Sequence, residues 1–135
     1  MSTTLDLTGA KLSGVDLSKK ALRGVVLCGA NLDSANLSGS DLTNTIFDRD
    51  YGFSQVCEAK TTLEFADLSC CIFEPIGLPS IESISTAEGL RTLRWEGSNS
   101  SLVQLREELG KSGFRQQERE VICALRRHDP GFFDK

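Results

Sequence analysis

His128 is the only histidine in a chain of 135 residues. It stands near the C-terminal end, and spacing pairs it with no serine or cysteine, so a nucleophile with its general base is not supported. It reads as a solvated cation at a helix C-terminus, where positive charge is favoured. A metal centre needs clustered His, Cys or carboxylates at ligand spacing. The five cysteines contain no Cys-x-x-Cys pair, and Cys70 and Cys71, which adjoin, would point to opposite faces of an extended segment. An odd count with no paired spacing argues against a disulfide framework and for a reducing, cytoplasmic setting. Asp and Asn recur at 6, 16, 31, 36, 41 and 67, and such short side chains hydrogen-bond their own backbone at corners rather than forming catalytic pairs. Arg126-Arg127 reads as a solvated last turn. We expect no enzyme, no cofactor and no metal.

The elements that position these residues follow from one repeated phrase: Ala10-Lys11-Leu12-Ser13-Gly14, Ala30-Asn31-Leu32-Asp33-Ser34, Ala35-Asn36-Leu37-Ser38-Gly39, Ser40-Asp41-Leu42-Thr43-Asn44. Leucine stands at 7, 12, 17, 22, 27, 32, 37 and 42, with Phe47 next in phase. Neither a 3.6-residue helix nor a two-residue strand has this period. A Leu or Phe column fills a narrow interior if its companion inward position is small, as at Ala10, Ala30, Ala35, Ser40 and Thr45. Glycine at 9, 14, 24, 29 and 39 falls where the chain must turn, and Lys20, on an inward position, either snorkels or distorts its side.

Over Leu5 to Arg49 this pattern resembles the pentapeptide-repeat family. The resemblance implies a mainly β fold, a right-handed quadrilateral β-helix in which four pentapeptides make a coil, here about three coils. Counting sides in fours places residues 5 to 9, 25 to 29 and 45 to 49 on one side, where Val26, Cys28 and Ile46 face outward. Three sides are polar and this one is apolar, so it is the candidate interaction face and calls for a cover from this chain or from a partner, including a second copy.

Net charge of −4 argues against broad nucleic-acid binding. No basic-then-apolar leader and no apolar stretch of about 18 residues occurs. After Asp48 the phase breaks, and 49–60 reads as an irregular insertion within a β-helix spanning 1–78. Leu63, Leu68 and Phe73 resume the column. Leu63 follows Leu42 by 21 residues, which predicts one coil with a single extra residue. Pro75 and Pro79 predict the end of the ladder.

Residues 79–135 read as a helical region. Ser85-Thr86-Ala87-Glu88 has capping-box form and opens a helix carrying Leu90 and Leu93, and Trp95 reads as an anchor against the open end. Leu102, Leu105 and Leu109, then Phe114, Val121, Ile122 and Leu125, predict an αα-hairpin that caps the last coil. Phe132-Phe133 is a tail or a partner hook. The segment from Gly113 to Arg127 resembles one that follows the repeats in some bacterial pentapeptide-repeat membrane proteins, although no membrane segment is present in this sequence.

The expected function is a non-catalytic protein-interaction or scaffold module with an unidentified protein partner. The alternatives are a DNA-mimicking modulator of DNA gyrase or a related topoisomerase, as certain relatives are, or the cytosolic domain of a membrane-anchored protein. Duplex mimicry needs a strongly acidic rod. Here five aspartates through Asp48 face Lys11, Lys19, Lys20 and Arg23, and three coils span only about 15 Å.

Overall fold

A computed structural model describes residues 5–47 and 60–128. The predicted insertion at 49–60, apart from Lys60, and the terminal Phe132-Phe133 lie outside the described residues. Each five-residue phrase contributes one bridging residue followed by a two-residue turn, so the sides meet through single parallel bridges and no longer strand forms among the described residues. Asp6 pairs with Val26, Lys11 with Asn31, Asp16 with Asn36 and Ala21 with Asp41. Every pair is 20 residues apart, and the chain therefore winds as a four-sided solenoid. The fifth position of each phrase is left-handed: Gly14 has φ +73°, and Lys19, Ser34, Asn44, Phe65 and Cys70 adopt φ between 58° and 62° despite their side chains.

The register in the third coil differs from the sequence expectation. Asn31 pairs with Thr62, Asn36 with Asp67 and Asp41 with Ile72, each 31 residues apart. Leu63 thus stacks on the Leu32 side and not on that of Leu42. The coil passes from the side of Phe47 to that of Leu63 with eleven additional residues between them, not one. Insertions of one and of eleven residues leave the same five-residue phase, so phase alone did not reveal the size of this one.

The ladder also continues past Pro79. Glu88 pairs with Asp67, and Arg94 with Ile72. The helix expected over 85–94 is absent; in its place are a short α1 (Ile81–Ile84) and a 3₁₀ turn (Leu90–Thr92). These irregular pieces complete the pairing with hydroxyl groups. Ser83 Oγ accepts from Leu63 N at 3.0 Å, Thr86 Oγ1 from Phe65 N at 3.0 Å, and Thr92 Oγ1 from Cys70 N at 2.9 Å. Ser and Thr near Ser85 therefore serve the coil above them and not a capping box. At the next corner the Glu74 carboxylate accepts from Glu96 N, Gly97 N and Ser98 N at 2.7, 3.1 and 2.9 Å.

The predicted hairpin is present as α2 (Ser100–Lys111) and α3 (Arg115–His128). Leu102, Leu105, Leu109, Val121 and Leu125 are buried in one cluster with the coil leucines, and Trp95 packs against it. The hairpin therefore caps the C-terminal end of the solenoid. The side chains of Ser101 and Arg127 donate to the carbonyls of Pro75 and Arg91.

In the interior, Leu22, Leu27, Leu32, Leu37, Leu42, Phe47, Leu63, Leu68 and Phe73 are buried. The polar companions are satisfied: Thr45 Oγ1 donates to Leu22 O at 2.8 Å, and Cys71 Sγ to Leu37 O at 2.8 Å. Leu7, Leu12 and Leu17 correct the expectation of a uniformly buried column. They are only half-buried, because the first coil has nothing above it among the described residues. Lys20 is exposed while Asp41 N still donates to its carbonyl at 2.9 Å, so the lysine leaves its side undistorted.

Candidate interaction surface

The side expected to serve as the interaction face is closed. Val26, Cys28 and Ile46 do stack, through the bridges Asp6 to Val26, Val26 to Ile46 and Ile46 to Ile76. Yet they are 7%, 4% and 6% exposed and form their own small core with Ile76 packed against it. An apolar stripe needs a cover, and this one is covered within the single chain. That removes the reason for a dimer through it. Cys28 is disulfide-bonded, contrary to the expectation from cysteine spacing, whereas Cys70, Cys71 and Cys123 are free thiols.

The Asp and Asn column is spent on corners, as its spacing predicts. Asp6 Oδ1 accepts from Thr8 N and Oγ1 at 3.0 and 2.6 Å, and Asp16 does the same with Ser18. These bonds hold both carboxyls below the usual carboxylate range. Asn31, Asn36, Asp41 and Asp67 bond the backbone two residues on in the same way. A carboxylate already accepting from its own turn is poorly placed to take a proton from a substrate. Among the described residues no group of three or more His, Cys, Asp and Glu could hold a metal.

The two adjoining cysteines differ in environment. Cys70 is exposed at a left-handed corner. Cys71 points inward beside Ser40 Oγ at 3.4 Å, and burial pushes its thiol up from 9.0 to about 11. Alkylation at neutral pH is expected to modify Cys70 and spare Cys71, as peptide mass mapping would show. The raised thiol also gives a sign for alkaline pH. Its neutral form is favoured in the fold, so its contribution is intact below pH 9.0 and is lost progressively toward about pH 11.

What the surface does present is Phe65, which the sequence reading passed over. It is 63% exposed, with φ +59°. Above it on the same corner stand Ser34, whose N–H donates to Glu64 O at 2.7 Å, and Gly14, whose N–H donates to Asp33 O at 2.9 Å. Both neighbours are small, so the ring stands proud of the corner. Glu64 N is held by Asp33 Oδ1 at 2.9 Å, and Glu64 itself, next to Phe65 in the chain, is exposed. A bulky L-residue in this conformation costs about 1 to 2 kcal/mol. The signal available in the sequence was Phe at the fifth position of the Leu63 phrase, where the earlier described phrases carry Gly, Lys, Ser or Asn.

Residues 10–49 match the family model described as pentapeptide repeats, in eight copies. No curated protein matches the sequence. Among solved structures, two trypsin-treated variants of QnrB1, a plasmid-mediated fluoroquinolone resistance protein, align with 78% of this chain at 17% identity and a TM-score of 0.39. The chain spans about 40% of their length. At that level the likeness assigns neither fold nor function.

Proposed function

We propose, for a chain that carries pentapeptide repeats over residues 10–49, that it is a non-catalytic protein-interaction module and that Phe65 anchors its partner. The observation that carries this reading is a bulky aromatic kept both exposed and in a disfavoured backbone conformation. Folding alone would favour Gly or Asn there, as with Gly14 on the same corner at φ +73° and Asn44 at the fifth position of another phrase at φ 61°. Strain retained on a surface points to use. Aromatic anchors seat in apolar pockets on a partner; here the flanking Asp33 and Glu64 favour a pocket with a basic rim. The right-handed winding of the family's coil belongs to this proposal, as does a cytoplasmic setting, against which the Cys28 disulfide weighs.

Duplex mimicry is the less favoured reading. The repeat surface mixes Lys11, Lys19 and Lys20 with its carboxylates, and Asp41 lies 3.7 Å from Arg23. For a membrane-anchored form, no helix among the described residues is long and apolar enough to cross a membrane.

Phe65→Asn tests the proposal. The variant is expected to fold at least as stably as the wild type, with a gain of up to about 1 kcal/mol, and to lose partner binding by more than about tenfold. Undiminished binding by a folded variant would overturn the assignment.

A further inference from the structure

Phe65 is the third residue of the turn over 63–66, which Ala66 N closes by donating to Leu63 O at 3.0 Å. Phe65 is left-handed and Glu64 before it is not, which makes the turn type II. That type calls for Gly or Asn at this position, whereas a type I turn accepts most residues. The two types differ by a flip of the Glu64–Phe65 peptide plane. Here the plane is pinned from both faces: its carbonyl, Glu64 O, accepts from Ser34 N at 2.7 Å in the coil above, and its N–H, on Phe65, donates to Thr86 Oγ1 at 3.0 Å in the coil below.

Thr86 stands in for a main-chain group. At the two upper rungs of this corner the N–H meets a backbone carbonyl of the next coil, Gly14 N to Asp33 O and Ser34 N to Glu64 O. Below Phe65, α1 replaces the phrase, and a hydroxyl takes the carbonyl's place. Thr86 is itself fixed, because its N–H and its hydroxyl both donate to Ser83 O, at 3.2 and 2.8 Å, while Glu88 N, two residues on, donates to Ala66 O at 2.8 Å. With its proton spent on Ser83, Oγ1 faces Phe65 N as an acceptor. Thr92 repeats the arrangement at the next corner, accepting from Cys70 N at 2.9 Å and donating to Gly89 O at 2.8 Å.

We infer that Thr86 is the positioning residue of the Phe65 anchor: its hydroxyl holds the Glu64–Phe65 peptide in the type II orientation and so keeps the ring standing out from the corner. This rests on the reading of Phe65 as the anchor. With Thr86 in place, a flip to type I breaks two hydrogen bonds. Without it the flip breaks only the bond from Ser34 N, and relief of the left-handed strain offsets that loss.

Amide hydrogen exchange, followed by NMR on the full 135-residue chain, reads the hydroxyl with no partner present. Thr86→Val keeps the shape and removes the acceptor, so it should speed exchange at Phe65 by about tenfold or more and leave Ala66 and Leu68 unchanged. Thr86→Ser should keep the wild-type rate, and Thr92→Val should act at Cys70 and not at Phe65. For binding, each chain competes in excess for the partner captured through a photocrosslinker replacing Phe65, with a thermal melt reporting that the competitor is folded. Thr86→Val should compete as poorly as Phe65→Asn, and Thr86→Ser as well as the wild type. A wild-type exchange rate at Phe65 in Thr86→Val, or full competition by Thr86→Val where Phe65→Asn fails, would overturn this inference and leave the anchor standing. Full competition by Phe65→Asn as well would remove the anchor, and this inference with it.

Discussion

Gly89→Ala is expected to be among the most damaging single-methyl changes in this chain. Gly89 has φ +86°, and an added Cβ would lie 2.4 Å from Ser69 Oγ and 2.6 Å from Ser69 Cα and N. A rotamer change can move the hydroxyl, but not the backbone atoms. The left-handed conformation costs about 1 to 2 kcal/mol for any L-residue, and overpacking adds about 1 to 3 kcal/mol. The strain falls beside the Leu68 N to Glu88 O bond of 2.8 Å, through which the last coil joins the one above. Gly14→Ala is the control: its φ is +73° and nothing lies within 4 Å of the added carbon, so only the conformational cost should appear. Urea midpoints of the two variants should differ clearly; equal midpoints would mean that the last coil does not approach Ser69 closely.

Leu32→Ala is expected to cost about 2 to 5 kcal/mol by leaving a cavity in the column. Leu32 is fully buried. The bridges of Asn31 to Lys11 and to Thr62 place it between the phrases of Leu12 and Leu63. Leu12→Ala removes the same atoms from a half-buried site and should cost about 1 kcal/mol, because less of its area leaves water on folding. The contrast between the two separates the register described here from one in which Leu63 follows Leu42. In that alternative Leu32 would lack Leu63 beneath it.

The repeat was legible because its period matches no ordinary element. The inward Leu and Phe residues, their small companions and the Asp and Asn corner bonds all follow from five-residue spacing. So did the helical hairpin, since Leu102, Leu105 and Leu109 share one helix face. What spacing did not reveal was which side each later phrase joins. Leu63 keeps the same phase whether one residue or eleven are added before it, and only the pairing of Thr62 with Asn31 decides. Prolines at 75 and 79 marked the loss of ladder donors, yet Ser83, Thr86 and Thr92 continue the pairing with hydroxyls, a substitution that a backbone rule does not anticipate. The misassigned surface has a related origin. Val26, Cys28 and Ile46 are outward by phase, but phase does not say whether an outward side is open. Phe65 was visible as a mismatch at a corner position, and its meaning emerged only with its exposure and backbone conformation.

The central claim is that partner contact runs through Phe65, and site-specific photocrosslinking measures it most directly. A benzophenone amino acid replacing Phe65 should yield a discrete protein adduct that excess wild-type chain suppresses and excess Phe65→Asn chain does not. The same crosslinker replacing Ser38, on another corner, should give none. Equal suppression by both competitors, or equal adducts from the two positions, would contradict the account.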